Sequence, residues 1–564
     1  MTTSILSNDT PITLETSTLP AALELAAAEE AHVWVAVKDA DASVHPMRAI
    51  LESANRLARH MISLGFRPGD RAVVMLPTSE AWLVGFYGTL LAGGAAVPVG
   101  PNLSFGGMDR YAETVRMIIR SAGARFLIGN EAIEPHVAAL TTDSSGLEHF
   151  VRADQVQTLS GGSGGALPSV DENEPAVIQY TSGTTGTPKG VVLSHRALLA
   201  NAHMIGERSG MTSKDVGVSW LPLFHDMGLV GALLTSLYHR YPLLLMPVES
   251  FLLQPRRWVQ WMSKRNASLS VAPNFAYQFV VDRVADRHLA DIDLSSWRIA
   301  FNGAEAVRPT TLRAFEARFG PLGFGGRVFQ SVYGMAENAL AATFPPSGTL
   351  WRTTELGERE VTSVGTPLAG VTVAIQDETG EPAAVGSVGN IRLKSPSLMS
   401  GYFRDDEKTA EVLSDGWLDT GDLGFIQGGE LFVTGRKKEL IIKRGRNYAP
   451  EEFENVALDA GKGRVLRAAA LGAADDRGGT ERIVVVLETR SMTEHERDVL
   501  TREVNGALVA AIGLGADDTV IVPPHTIERT TSGKIRRATL SERYAALDLP
   551  GQVARHVETG PEGG

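Results

Sequence analysis

The chain contains no cysteine. That excludes disulfides, thiolate metal sites and a cysteine nucleophile. Positive charge is also in short supply. The formal net charge is −12, and Asp and Glu are spread along the chain rather than gathered in a tail. A nucleic acid needs a basic face to bind against, so none is expected as the main partner. A local cationic pocket remains compatible with this balance. Long apolar runs are missing as well: LVGALLTSLYHRYPLLLMPV is broken by His239, Arg240 and Pro242, so membrane insertion is not expected. The stretch MTTSILSNDTPITLETST has neither a basic region nor an apolar core of signal-peptide type, and a cytoplasmic location is the expectation.

What remains is the balance of a soluble globular protein, with 43% apolar and 21% charged residues. A length of 564 residues exceeds one ordinary domain. The first two-thirds alternate helix-like and strand-like segments. In residues 50–64, Ile50, Ala54, Leu57, Ala58 and Met61 share one helical face. RAVVML, ARFLIG, YPLLLMP, LSVAP and RIAFNG are short apolar runs bounded by turn residues, separated by helix-length segments such as 78–92 and 304–319. This rhythm predicts an α/β fold, with a large N-terminal domain over 1–437 built from βαβ-type sheets and flanking helices. Beyond residue 436 the texture changes. RVLRAAALGA, ERIVVVLETR and DTVIVPP read as strands, with a helix over 494–512, predicting a small α+β C-terminal domain over 438–550. LSGGSGGALPS at 159–169 reads as a flexible loop, and the Gly-rich end, 551–564, as a disordered tail.

One stretch asks for chemistry. YTSGTTGTPKG, residues 180–190, holds three Gly, four Thr, one Ser and a single cation, Lys189. Backbone N–H groups of such a loop converge on an anion, hydroxyls add donors, and a polyphosphate is the natural guest. It is not a Walker A loop: counted from Gly183, Pro188 takes the place of the second glycine and Gly190 that of the hydroxyl residue. By composition alone it is equally a surface loop.

Other motifs follow in order: NGAEAV, YGMAEN, GWLDTGDLG, TGRKKELII and RTTSGKIRR. Together they resemble the adenylate-forming superfamily of acyl-CoA synthetases, nonribosomal adenylation domains and luciferases over nearly the whole chain. LPLFHDMGLVG, VAPNFAYQF, YGMAENAL and IIKRGRNYAP are phrased as in fatty acyl-AMP ligases, and Ala336 stands before the motif glutamate as in that branch. The short path from residue 338 to 364 departs from it, because acyl-AMP ligases usually carry an insertion there that disfavours CoA.

The resemblance implies attack of a carboxylate on the α-phosphorus of ATP, with pyrophosphate leaving. Thr181, Ser182, Gly183, Thr184, Thr185, Gly186 and Lys189 would hold the β- and γ-phosphates, and Glu337 would ligate Mg²⁺. Tyr333, with Gly334, Met335 and Ala336 on the same motif, would stack on adenine, and Gly303, Ala304 and Glu305 would line that pocket. Asp422 would accept from both ribose hydroxyls, assisted by Arg436. Lys534, on a loop of the mobile small domain, would meet the carboxylate and the α-phosphate, and Lys438 would be the hinge. His225, Asp226, Met227 and Gly228 would sit at the mouth of the acyl pocket, with Phe224, Phe275 and Tyr277 as candidates for its wall or for plain core. Adjacent His225 and Asp226 are expected to point apart. A carboxylate nucleophile is already ionised and needs no base. With no cysteine in the chain, the thiol that takes the acyl group belongs to another molecule: an acyl carrier protein or CoA.

Overall fold

The computed structural model describes residues 4–37, 41–101, 108–140, 146–159, 166–181, 188–357, 359–443, 446–474, 481–529 and 535–555. Two seven-stranded sheets form the bulk of the N-terminal part. In the first, Phe329–Ser331, Ile299–Gly303, Leu269–Pro273, Gly217–Ser219, Leu243–Leu245 and His32–Ala36 run parallel, and Ala42–Pro46 closes the edge antiparallel. In the second, Pro175–Thr181, Ala95–Val99, Arg71–Met75, Phe126–Gly129 and His149–Arg152 run parallel. Lys189–Ser194 and Gly401–Tyr402 extend it antiparallel. The central strands are buried on both faces, which is why they read as continuous apolar runs rather than alternating ones. A third, antiparallel sheet holds Ile5–Ser7, Thr372–Gln376, Gly389–Lys394, Trp417–Gln427 and Glu430–Arg436.

Helix Met47–Ser63 buries Ile50, Ala54, Leu57, Ala58 and Met61, the face its spacing predicts. The helix expected from residue 304 starts instead at Pro309. Ala304 sits at φ +66°, which no right-handed helix admits, and Pro309 supplies a ready-made first turn.

The C-terminal part is a sheet of Val465–Ala474, Glu481–Thr489, Asp518–Val522 and Gln552–Arg555. Alternate residues feed two cores. Ala468, Ala470, Ile483, Val485 and Leu487 face the helices Pro450–Gly461 and Glu494–Ile512. Ala469, Leu471, Val484 and Val486 face Leu540 of the helix Arg537–Ala545. Gln552–Arg555 pairs with Asp518–Val522, so the stretch expected as a tail from 551 begins with a strand. Among the described residues no helix is long and apolar enough to cross a membrane.

Candidate active site

Strands of different sheets bring the motifs together. Strand Trp417–Gln427 pairs Asp422 with Arg436 of its neighbour. Arg436 Nε lies 2.9 Å from Asp422 Oδ1, and the Tyr333 hydroxyl donates to Oδ2, also at 2.9 Å. Burial first, then the Asp422 charge, pushes the Tyr333 phenol well above its ordinary value, so it stays a protonated donor. The same carboxylate raises the Arg436 guanidinium. Both oxygens of Asp422 are engaged, yet an ionised carboxylate has about four lone-pair sites. Sites for further donors therefore remain on it.

Four residues beyond Tyr333 stands Glu337, in the short turn Ala336–Asn338. The Tyr402 hydroxyl donates to its Oε1 at 2.9 Å, and Lys189 Nζ lies 5.2 Å from the centroid of the Tyr402 ring. Thr181 and Lys189 are register partners at the mouth of the opening motif. Ser182, Gly183, Thr184, Thr185 and Gly186, between them, lie outside the described residues. Burial lowers the Lys189 ammonium, Lys408 and Lys438 lower it further, and Glu337 offsets them. Three lysines and two carboxylates, Glu337 and Glu411, therefore act on the same space. That charge pattern suits a polyphosphate carrying a divalent cation. Mg²⁺ commonly takes one or two protein carboxylates and completes its shell with water and phosphate oxygens. The single carboxylate of Glu337, oriented by Tyr402, fits that habit. Among the described residues no group of three or more potential metal ligands exists.

The turn that carries Glu337 is held from behind. A Cβ on Gly334 would lie 1.8 Å from the Leu340 carbonyl oxygen, which accepts from the Met335 N–H at 2.8 Å, so only glycine fits. Met335 and Ala336 are buried. Asn201, buried in helix His195–Ser209, accepts from the Ala341 N–H at 3.0 Å and donates to the Ala341 carbonyl at 2.8 Å and to Ser397 Oγ at 2.9 Å. The sequence reading missed Tyr402, Lys408, Asn201 and Ser397. Only Asn201 carried a signal: a polar residue inside an apolar helical stretch.

At the acyl end, Asp226 heads the helical segment Met227–Leu234, which has the wider i to i+5 bonding, as from the Thr235 N–H to the Val230 carbonyl; Thr235 Oγ1 donates to the same carbonyl at 2.7 Å. His225 and Asp226 do not point apart: Nδ1 and Oδ1 are 2.6 Å apart. The Met227 N–H donates to both side chains, which folds them over the same helix start. Gly228 packs against the Pro222 carbonyl, where a Cβ would approach to 2.2 Å. Phe224 is half-buried, and Gln179 Nε2 donates to its carbonyl at 2.6 Å. Tyr277 is not a pocket wall. It is fully buried among Trp258, Phe315 and Phe329, and its hydroxyl donates to the Phe301 carbonyl at 2.8 Å. Helical spacing turns Tyr277 to the core and leaves Phe275, two residues earlier, half-buried. Gly303 ends its strand, and Glu305 Oε1 accepts from the Phe275 N–H at 2.5 Å.

Lys534 lies outside the described residues, but its flanks do not. Arg529 and Ile535 are bridged antiparallel, and the Arg536 N–H donates to the Glu528 carbonyl at 2.9 Å. The Arg529 guanidinium lies 5.9 Å from the Phe275 ring centroid. Burial pulls its pKa down, and Glu305 opposes this most strongly. The base of the loop therefore rests against the large domain. Lys438 is exposed in the turn Lys437–Glu439 directly after Arg436.

A family model for AMP-binding enzymes matches residues 26–403. The chain belongs to this AMP-binding enzyme family. Among relatives of this ligase, a Caulobacter vibrioides protein described as an acyl-CoA synthetase is 33% identical over 526 residues, covering 89% of this chain and 90% of its own. A medium-chain-fatty-acid–[acyl-carrier-protein] ligase, JamA of Moorena producens, is 32% identical over 532 residues, covering 88% and 89%. A solved structure from a study of fatty acyl-adenylate ligases of E. coli and L. pneumophila superposes with a TM-score of 0.89 at 32% identity, covering 95% of this chain and 99% of its own. The ligase is an adenylate-forming enzyme that uses ATP to make acyl-AMP and passes the acyl group to a thiol.

Proposed function

We propose that the ligase activates a hydrophobic carboxylic acid, fatty or polyketide-like, and delivers it to a phosphopantetheine thiol. The observation that carries this is the joining of two ends of one site on a single loop. Tyr333, bonded to Asp422, marks the nucleoside end, and Glu337, beside Tyr402 and Lys189, marks the phosphate end. Asp422 and Arg436 would receive the ribose. Lys189, with the hydroxyls and N–H groups of Thr181 through Gly186, would hold the β- and γ-phosphates, which depart as pyrophosphate. Glu337 would hold Mg²⁺, which when bound supplies positive charge to the phosphate oxygens.

Attack needs two anions to meet. Lys534 would place its ammonium between the acid's carboxylate and the α-phosphate, stabilising the charge that develops there. His225 and Asp226, folded over one helix start, sit at the mouth of the acyl site; no proton need be removed from the acid. The half-buried rings of Phe224 and Phe275 support a hydrophobic acid. Domain boundaries at 437 and 438, with Lys438 as the pivot, belong to this reading.

Lys534→Ala should slow ATP–pyrophosphate exchange by about a hundredfold or more, the range for removing a preorganised transition-state donor. ATP binding should remain. Exchange at the normal rate in this variant would sink the assignment. A second reading, that free CoA is the acceptor, is favoured by the short path from residue 338 to 364. Besides the strand Ala341–Phe344, it holds one hairpin, Thr353–Leu356 against Arg359–Thr362. Incubation with ATP, a panel of acids and either CoA or a holo carrier protein separates the two. Acyl-AMP that persists with CoA and discharges onto the carrier supports the carrier; acyl-CoA release supports CoA.

A further inference from the structure

Arg537 stands three residues beyond Lys534, at the first turn of helix Arg537–Ala545. In sequence it closes the motif RTTSGKIRR. In the fold it is the meeting point of three carboxylates. Its Nη1 binds Glu439, and its Nη2 reaches Glu451 Oε1 at 3.0 Å and the two oxygens of Glu454 at 2.9 and 3.0 Å. The side chains are only 14% exposed for Arg537, 16% for Glu439, 24% for Glu451 and 8% for Glu454, so water does little to screen them. Burial alone would pull the guanidinium down. Glu454, Glu451 and Glu439 together hold it above its ordinary value.

The three acids come from two places. Glu451 and Glu454 lie on the first turns of helix Pro450–Gly461 and belong to the small domain proper. Glu439 closes the turn Lys437–Glu439, one residue past the proposed pivot. Glu454 and Glu451 already pair with Arg537 inside the small domain, and the arm to Glu439 adds the turn after the pivot to that cluster. It ties the exit of the pivot to the chain that leads out of the lysine loop, 98 residues away.

We propose that Arg537 is a positioning residue that locks the pivot to the catalytic loop, so that everything after Lys438 turns as one lever. A planar guanidinium with five donors can hold three carboxylates in fixed directions, and a lysine cannot. Without the lock, play at residues 439 and 440 reaches Lys534 as misplacement, and an offset of about 1 Å at a reacting group costs on the order of a hundredfold in rate. The inference rests on the reading of Lys534 given above.

The test compares Glu439→Ala, Arg537→Lys and Lys534→Ala in ATP–pyrophosphate exchange, with thermal melting of each. Glu439→Ala leaves Arg537 its two other partners. We expect its exchange kcat to fall about tenfold to a hundredfold, with the KM for ATP within about twofold of the parent and the melting temperature unchanged. Arg537→Lys should show the same split between kcat and KM. Wild-type exchange by Glu439→Ala beside an inactive Lys534→Ala overturns the lock alone. A fall in kcat matched by a fall in melting temperature, or a raised KM for ATP, also overturns it, because that marks a structural role. Wild-type exchange by Lys534→Ala overturns the reading of the lysine, and the lock with it.

Discussion

At the scale of the residue, the site is built from side chains that answer one another's charge. Tyr402 does two things at once: its hydroxyl orients Glu337 and its ring lies beneath Lys189. Phenylalanine keeps the second and loses the first. A hydrogen bond to a charged acceptor is worth about 1.5–3 kcal/mol, less where water substitutes, so Tyr402→Phe should raise the KM for Mg-ATP on the order of tenfold. An unchanged KM would dissociate Tyr402 from the phosphate end. His195 is a residue whose role is stability. It is buried, accepts from the Leu19 N–H at 3.2 Å, and burial pushes its imidazole down to about 4. The unfolded chain takes up the proton near pH 6.5 and the folded chain only near 4, so stability is full above 6.5 and falls as pH drops toward 4. The loss amounts to about 3 kcal/mol. Melting curves of the parent should steepen in their pH dependence over that window relative to His195→Gln; parallel curves would refute this.

At the scale of the element, the turn Ala336–Asn338 is held by glycine on one side and by Asn201 on the other. Gly334→Ala forces the Leu340 carbonyl away and should cost about 1–3 kcal/mol, as overpacking does. Exchange activity should fall with it, since Glu337 rides on the same turn; a melting temperature equal to the parent's would contradict the close approach. Element prediction from the sequence succeeded where periodicity was long. The helix expected in 50–64 spans Met47–Ser63, because five apolar side chains specify one face. Gly217–Ser219 and Ile5–Ser7 escaped it, since three-residue strands exist only through their partners. The hairpin of Thr353–Leu356 and Arg359–Thr362 escaped it too. Its sequence lacks apolar alternation, and Arg313 with Glu360 fastens it to a helix.

At the scale of the whole molecule, the question is rotation. The small domain rests its loop base on Phe275 through Arg529. If Lys438 is the pivot, a proline there removes its freedom in φ while fitting the first turn of a short helix, where the N–H has no partner to lose. Lys438→Pro should therefore leave ATP–pyrophosphate exchange near the parent rate and abolish thioester formation. Loss of both half-reactions together would argue against the pivot.

The sequence by itself determined the chemical inventory: no thiol, a Gly/Thr loop with one lysine, and an ordered set of motifs marking a nucleotide site. Those features are local, set by residue type and short spacing, and survive any uncertainty about packing. Tertiary structure alone decided who meets whom. Tyr402 reaches Glu337 across 65 residues, Tyr333 reaches Asp422 across 89, and Arg537 reaches Glu439 across 98. It also decided that Tyr277 is core, that His225 and Asp226 share a helix start, and that Arg537 is a buried hub. Contacts of this kind depend on how sheets and helices stack, and one helical turn or one strand register changes every partner.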